Sequence, residues 1–213
     1  MPVVMCFGDS NTHGTMPMER PGALDRLGPE ARWPGVMAQA LGVGWTVIEE
    51  GQPGRTTVHD DPIEGAWKNG AAVLPALLDT HRPVDLVVIM LGTNDLKARF
   101  SVTASDIADS AARLAALVRA SIAGPGGAAP AVLLVAPPKI EEAGALASMF
   151  AGGAAKSSGL GQAFARVADR FGIPLFDAAT VAAPDPLDGI HLSEDTHRAL
   201  GAALADKVAD ILR

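Results

Sequence analysis

The stretch Val3-Val4-Met5-Cys6-Phe7-Gly8-Asp9-Ser10-Asn11-Thr12 decides the fold. An apolar run of strand length stops at a glycine, and a polar cluster follows at once. A strand covered on both faces is continuously apolar, whereas its exit is solvated, so this order reads as a buried parallel strand feeding a βα turn. In open α/β sheets, ligands bind outside the carboxyl ends of the strands. Ser10 stands at such an end. A helix N-cap is the plain alternative for a serine there, and Gly-Asp-Ser alone does not choose between the two.

Working outward, the same pattern recurs. Trp45–Glu49 reads as a second strand, and Gly51-Gln52-Pro53-Gly54-Arg55-Thr56-Thr57 as the turn after it. Asp85–Leu91 is continuously apolar after Asp85 and ends in Gly92-Thr93-Asn94-Asp95. Ala131–Ala136 is a fourth strand stopped by Pro137-Pro138, and Pro174–Phe176 a short fifth. Between them lie helices. Ala31–Leu41 carries Trp33, Val36, Met37, Ala40 and Leu41 at helical spacing. Asn69 caps a helix to about Thr80, and Thr103 with Asp106 forms a capping box for a helix to about Ile122. Gln162–Phe171 is helical, and Ser193 caps a last helix to about Leu212. Residues 143–161, rich in Ala, Gly and Ser, read as a loop or a weakly patterned helix. Strands alternating with helices predict an α/β fold: a three-layer αβα sandwich of about five parallel strands with helices on both faces. No repeat or linker divides the 213 residues, which predicts a single domain over 1–213.

Composition narrows the function classes. The net charge is −7 and no basic cluster stands out, which argues against nucleic-acid binding, where Lys and Arg must neutralise phosphates. No stretch is long and apolar enough to predict a membrane span. Cys6 is the only cysteine, so no intrachain disulfide forms, and its place in the first apolar run makes it a core residue. The N-terminus has no basic region before its apolar run, so no signal peptide is read and a cytoplasmic protein is expected.

Four polar clusters punctuate the pattern. Gly8–Asn11, Gly51–Thr57 and Gly92–Asp95 directly follow strands and should converge on one sheet edge. The fourth, Asp188-Gly189-Ile190-His191, precedes the last helix. Asp and His three apart can fold so that the carboxylate meets the imidazole Nδ1. That fixes the tautomer and leaves Nε2 free to take a serine proton. Alone, the same four residues also suit a turn with a capping Asp and an unrelated surface His. Together the clusters supply what a nucleophilic serine needs. The catalytic candidates are Ser10 as the hydroxyl, His191 as the base and Asp188 as its orienter. The N–H of Ser10, the N–H of Gly54 and the side-chain amide of Asn94 are the oxyanion-hole candidates. Paired acidic residues at Asp60-Asp61 and at Asp185 with Asp188 lack any His/Cys cluster, so neither metal nor cofactor is expected.

On these motifs the sequence resembles the SGNH (GDSL-type) hydrolases, whose name lists Ser, Gly, Asn and His. They match as Ser10 in Gly-Asp-Ser-Asn, Gly54 in Gly-Gln-Pro-Gly-Arg-Thr, Asn94 in Gly-Thr-Asn-Asp and His191 in Asp-Gly-Ile-His. The resemblance covers nearly the whole chain. It implies a flavodoxin-like αβα sandwich and metal-free ester hydrolysis through an acyl-enzyme. Ile48-Glu49-Glu50-Gly51, Arg55-Thr56-Thr57, Asp60-Asp61-Pro62 and Ile89–Lys97 are similar to the bacterial arylesterase/acyltransferase branch. That likeness implies short acyl esters, acyl transfer to alcohols or peroxide, and a homo-oligomer. Asn11 departs from the usual motif, which has leucine there.

The expectation is therefore a serine esterase for short acetyl or aryl esters, with a small-molecule ester as its only partner besides copies of itself. Carbohydrate O-acetyl esters, thioesters and lysophospholipids are alternatives on the same machinery. A non-catalytic, flavodoxin-like anion-binding module is the alternative from another class; it explains the strand-end loops but not the Asp188–His191 spacing. Asn11, His13, Thr93, Lys97 and Leu192 are the candidate substrate-lining residues. His59, His81 and His197 read as surface residues, and residues 143–161 as packing between subunits or bordering the pocket.

Overall fold

A computed structural model describes residues 1–23 and 25–213. Five strands, β1 (Val3–Gly8), β2 (Thr46–Gly51), β3 (Leu86–Met90), β4 (Ala131–Ala136) and β5 (Leu175–Asp177), form one sheet. Its order is β2-β1-β3-β4-β5, and every pairing is parallel. The helices are α1 (Ser10–His13), α2 (Trp33–Leu41), α3 (Gly70–His81), α4 (Ala104–Arg119), α5 (Gly153–Ser157), α6 (Leu160–Phe171) and α7 (Glu194–Leu212).

Strand side chains alternate between faces, and the core divides accordingly. Met5 and Phe7 of β1, with Val87 and Ile89 of β3, pack beneath α3, α4 and α6 through Leu74, Ile107, Leu114 and Phe164. Val4, Cys6, Val88 and Leu133 face the other way, onto Trp33 and Met37 of α2 and Leu200, Leu204 and Val208 of α7. Both faces are thus covered, as the continuous apolar runs require. The sandwich and the strand count agree with the sequence-based expectation. Among the described residues, no helix is long and apolar enough to cross a membrane.

Element ends differ in places for local reasons. The first long helix starts at Trp33, not Ala31, with Pro34 in its first turn, where a missing N–H costs nothing. The second strand runs on to Gly51, because β1 and β2 stay paired to Gly8↔Gly51. The capping box at Thr103 and Asp106 forms in both directions, with Asp106 accepting the Thr103 N–H at 2.8 Å. Its helix stops at Arg119 rather than near Ile122, where the Ser121 hydroxyl donates to the Val118 carbonyl at 2.8 Å. Residues 143–161 fold as a 3₁₀ turn at Gly144–Leu146 and the short α5, and α6 begins at Leu160 rather than Gln162.

One histidine contradicts the surface expectation. His197 is fully buried and accepts the Trp33 N–H on Nδ1 at 3.2 Å, joining α7 to α2. Its spacing to Leu200, Leu204 and Val208 places it on the helix stripe that faces the sheet. His59 and His81 are half-buried; His59 stacks on Phe100 and His81 meets Glu50 at 2.7 Å.

Burial, aided by the charge of His191, lowers the His197 pKa to about 4. An unfolded histidine titrates near 6.5, so between about pH 4 and 6.5 the unfolded chain binds more protons and stability falls with pH, by roughly 1.4 kcal/mol per unit. Asp9, raised to about 6 by its own burial, has the opposite slope, so the comparison must be made between variants. From pH 6.5 to 5, His197→Gln should lose about 1.6 kcal/mol less stability than the parent, or roughly 3–6 °C less in Tm. Parallel curves for the two proteins would contradict this assignment.

Candidate active site

The strand order reverses between β1 and β3, and the loops leaving these two strands frame a crevice at the carboxyl edge of the sheet. Gly8 ends β1. A Cβ there would press on Thr12 and come within 2.9 Å of the Met90 carbonyl, so the two exits pass closely. The chain then turns directly into α1, with Asp9 as N-cap accepting the Asn11 N–H at 3.0 Å. Ser10 is the first residue of that helical turn.

Asp188 and His191 come from the loop before α7. Gly189, at φ +72°, lets this loop lie against the Glu141 carbonyl, and Glu141 N–H donates to Gly189 at 2.8 Å. Ser10 Oγ stands 3.1 Å from His191 Nε2, and His191 Nδ1 stands 2.6 Å from Asp188 Oδ2. All three residues are buried. Asp188 Oδ1 also accepts the Ile190 and His191 N–H groups at 2.9 Å, and Oδ2 accepts the Met18 N–H at 2.9 Å. Burial works to raise this carboxyl. The hydrogen bonds and the charge of His191 outweigh it and hold the pKa at about 2. An ionised Asp188 demands the proton on Nδ1, which leaves the Nε2 lone pair facing Ser10.

Gly54 and Asn94 come from the turns after β2 and β3, and both line the same cavity as Ser10 and His191. Gly54 has φ +80°, a conformation that favours glycine, and its N–H finds no hydrogen-bond acceptor among the described residues. Asn94 Nδ2 donates to the Arg55 carbonyl at 3.1 Å and lies 3.4 Å from Asp9 Oδ2. An amide nitrogen has two protons. The first is fixed by Arg55, and the second is held loosely enough to be handed to a ligand. Two buried groups set these turns. Arg55 lies 4.3 Å over the Phe7 ring and donates from Nη1 to Gly8 at 2.9 Å and to Glu50. Asp95 accepts the Thr57 N–H at 3.1 Å, tying the β2 and β3 exits together.

The cavity has a volume of about 350 Å³. One wall is apolar: Met18, Leu146, Met149, Phe150 and Ile190. The other is ionic. Lys97 pairs with Glu64 and lies 3.5 Å from Asp61, and Arg99 pairs with Asp61 at 2.8 Å. Lys68 donates to the Pro53 carbonyl at 2.6 Å, and its ammonium would be 3.3 Å from a Cβ on Gly54.

Of the substrate-lining candidates, Lys97 lines the cavity and the other four do not. Asn11 is buried, with both ends of its amide bonded to the His191 loop. His13 turns its Nδ1 to Thr15 at 3.0 Å, while Thr93 and Leu192 are packed inside. Residues 143–161 supply Leu146, Met149 and Phe150 to the cavity wall. The stretch thus borders the cavity, one of the two places expected for it, whereas Met18, Glu64, Lys68 and Arg99 are lining residues that sequence reasoning missed.

Comparison with known proteins identifies the family and the fold. No curated protein matches the chain. Among solved structures, an aryl esterase from M. smegmatis is 43% identical, with 99% of each chain covered and a TM-score of 0.94. A carbohydrate acetylesterase from Sinorhizobium meliloti is 42% identical over 99% of this chain and 100% of that one, with a TM-score of 0.95. A G-D-S-L family member from Veillonella parvula, 16% identical over 98% of each chain with a TM-score of 0.68, shares the fold. The model of the GDSL-like lipase/acylhydrolase family matches residues 6–199. With that family model spanning most of its length and a full-length likeness to both esterases, this chain belongs to the GDSL-like lipase/acylhydrolase family.

Proposed function

We propose that the protein is a serine esterase acting on short acyl esters, with Ser10, His191 and Asp188 as its triad. The observation that carries this reading is the continuous relay from Ser10 Oγ to His191 at 3.1 Å and on to Asp188 at 2.6 Å. Family membership and the esterase relatives support it. An anion-binding module would have no use for a carboxylate that dictates the tautomer of a histidine facing a serine.

In this mechanism His191 Nε2 takes the Ser10 proton as Oγ attacks the ester carbonyl. Asp188 remains a carboxylate and stabilises the imidazolium that forms. The carbonyl oxygen becomes an oxyanion, received by the N–H groups of Ser10 and Gly54 and the second proton of Asn94. The imidazolium then protonates the leaving alcohol. Water repeats the sequence on the acyl-enzyme, losing its proton to His191 and releasing the acid. An alcohol in place of water gives acyl transfer.

The cavity walls support a division of the substrate. Leu146, Met149 and Phe150 offer an apolar surface for an aryl or alkyl portion. Glu64, Lys97 and Arg99, braced by the buried Asp61 behind them, offer hydrogen-bonding groups to a hydroxylated portion. That second wall is the observation favouring acetyl esters of a carbohydrate, in line with the name of the Sinorhizobium carbohydrate acetylesterase.

Ser10→Ala should leave a folded protein whose hydrolysis of p-nitrophenyl acetate falls by several orders of magnitude, since triad members act as a unit. Activity near that of the parent would remove Ser10 from the mechanism. Asn94→Ala should lower kcat by about 10²–10³-fold, roughly 3–4 kcal/mol, with a much smaller change in KM, because the oxyanion forms mainly in the transition state. A lowered Tm with kcat near that of the parent would instead make Asn94 a turn residue. In a series of p-nitrophenyl esters from acetate to decanoate, kcat/KM should be highest for the short chains. A steady rise to the longest chain would contradict the short-acyl assignment.

A further inference from the structure

Asn11 follows the nucleophile in the chain, yet its side chain points away from the cavity. It is 2% exposed, and both ends of its amide are hydrogen-bonded. Nδ2 donates to the Ile190 carbonyl at 3.1 Å, and Oδ1 accepts the Leu192 N–H at 3.2 Å. These two backbone groups lie immediately before and after His191. One amide therefore straddles the residue placed as the base.

We infer that Asn11 is a positioning residue that locks His191 to Ser10 by clamping the backbone on both sides of the base. The inference rests on the triad reading above. The loop Asp188–Leu192 belongs to no helix or strand, so its position depends on individual bonds. Several of these anchor it away from the nucleophile: Glu141 N–H to the Gly189 carbonyl and Asp185 N–H to the His191 carbonyl, both at 2.8 Å. The bond from Met18 N–H to Asp188 holds the carboxylate end. Asn11 is different because it is adjacent to Ser10 on the same short helical turn, α1. Its two bonds join the nucleophile's own backbone segment directly to the segment bearing the base. They make the Ser10–His191 separation a property of one side chain rather than of a long path through the core.

The geometry also accounts for the departure from the usual leucine. A leucine at position 11 offers neither donor nor acceptor. In this chain the Ile190 carbonyl and the Leu192 N–H, both on buried residues, would then lose their partners. Each loss favours a shift of the loop toward other partners. A catalytic group displaced by about 1 Å can cost on the order of 10² in rate, while a substrate held elsewhere in the cavity still binds.

The test compares Asn11→Leu and the isosteric Asn11→Asp with the parent and with Ser10→Ala, using p-nitrophenyl acetate. Asn11→Asp keeps the acceptor for Leu192 but turns a carboxylate oxygen on the Ile190 carbonyl, so it probes the clamp with almost no change of volume. The expected result for both variants is a kcat lower by about 10–10²-fold, with KM within about threefold and the circular dichroism spectrum unchanged. A side chain with a merely structural role would lower Tm and leave kcat per folded molecule intact. If either folded variant keeps kcat within about threefold while Ser10→Ala is inactive, the clamp is overturned and the triad stands. If Ser10→Ala keeps its activity, the triad reading fails and the clamp fails with it.

Discussion

A single buried carboxylate organises the site. Asp188 accepts hydrogen bonds from Met18 N, Ile190 N, His191 N and His191 Nδ1, at 2.6–2.9 Å. A carboxylate removed from water is costly unless its lone pairs are filled. Here they are filled by groups whose placement also builds the machinery. The bond from Met18 brings the segment after α1 against the loop before α7. The Ile190 and His191 bonds fold that loop into a tight turn, and the Nδ1 bond aims the imidazole. With its pKa held at about 2, Asp188 stays ionised above that pH, and these constraints persist with it.

The sheet supplies the other half of the frame. In the order β2-β1-β3-β4-β5, β1 and β3 are neighbours whose following connections run to opposite faces, so a crevice opens between their exits. Ser10 and Asn94 follow the central strands β1 and β3, and Gly54 follows the edge strand β2 beside β1. β1 and β3 are buried along almost their whole length, the half-buried β2 is paired to β1 throughout, and the strands fix where the exits begin. Buried polar contacts fix where the exits go. Arg55 ties the end of β1 to that of β2, and Asp95 ties the turn after β2 to that after β3. Three donors on three separate turns are thereby held in place before any substrate arrives, the condition under which such donors stabilise developing charge most.

Much of this was legible in the chain. An apolar run, a glycine and a polar cluster is a local signal, and it repeats after β1, β2 and β3. The Asp188–His191 spacing is local too, since the carboxylate needs only one turn to reach Nδ1. The wall of the cavity was legible only as the stretch 143–161, not residue by residue. Met18, Leu146, Met149 and Phe150 come together by long-range packing of irregular segments, which leaves no period in the sequence. Asn11 was misread as substrate-facing because sequence adjacency to Ser10 says nothing about which way a side chain turns on a four-residue helix. His197 was misread for a different reason. Its helical spacing to Leu200, Leu204 and Val208 was present in the sequence, and residue type was allowed to outweigh it.

The central claim is that His191 makes Ser10 a nucleophile. Covalent trapping tests it most directly: the protein is treated with a fluorophosphonate, digested, and the modified peptide sequenced by mass spectrometry. The account predicts one adduct, on Ser10, and an at least hundredfold slower reaction when His191 is replaced by alanine, in keeping with the usual ~10²–10⁴-fold contribution of a general base. An unlabelled Ser10 in folded protein, or labelling at an unchanged rate without His191, would contradict it.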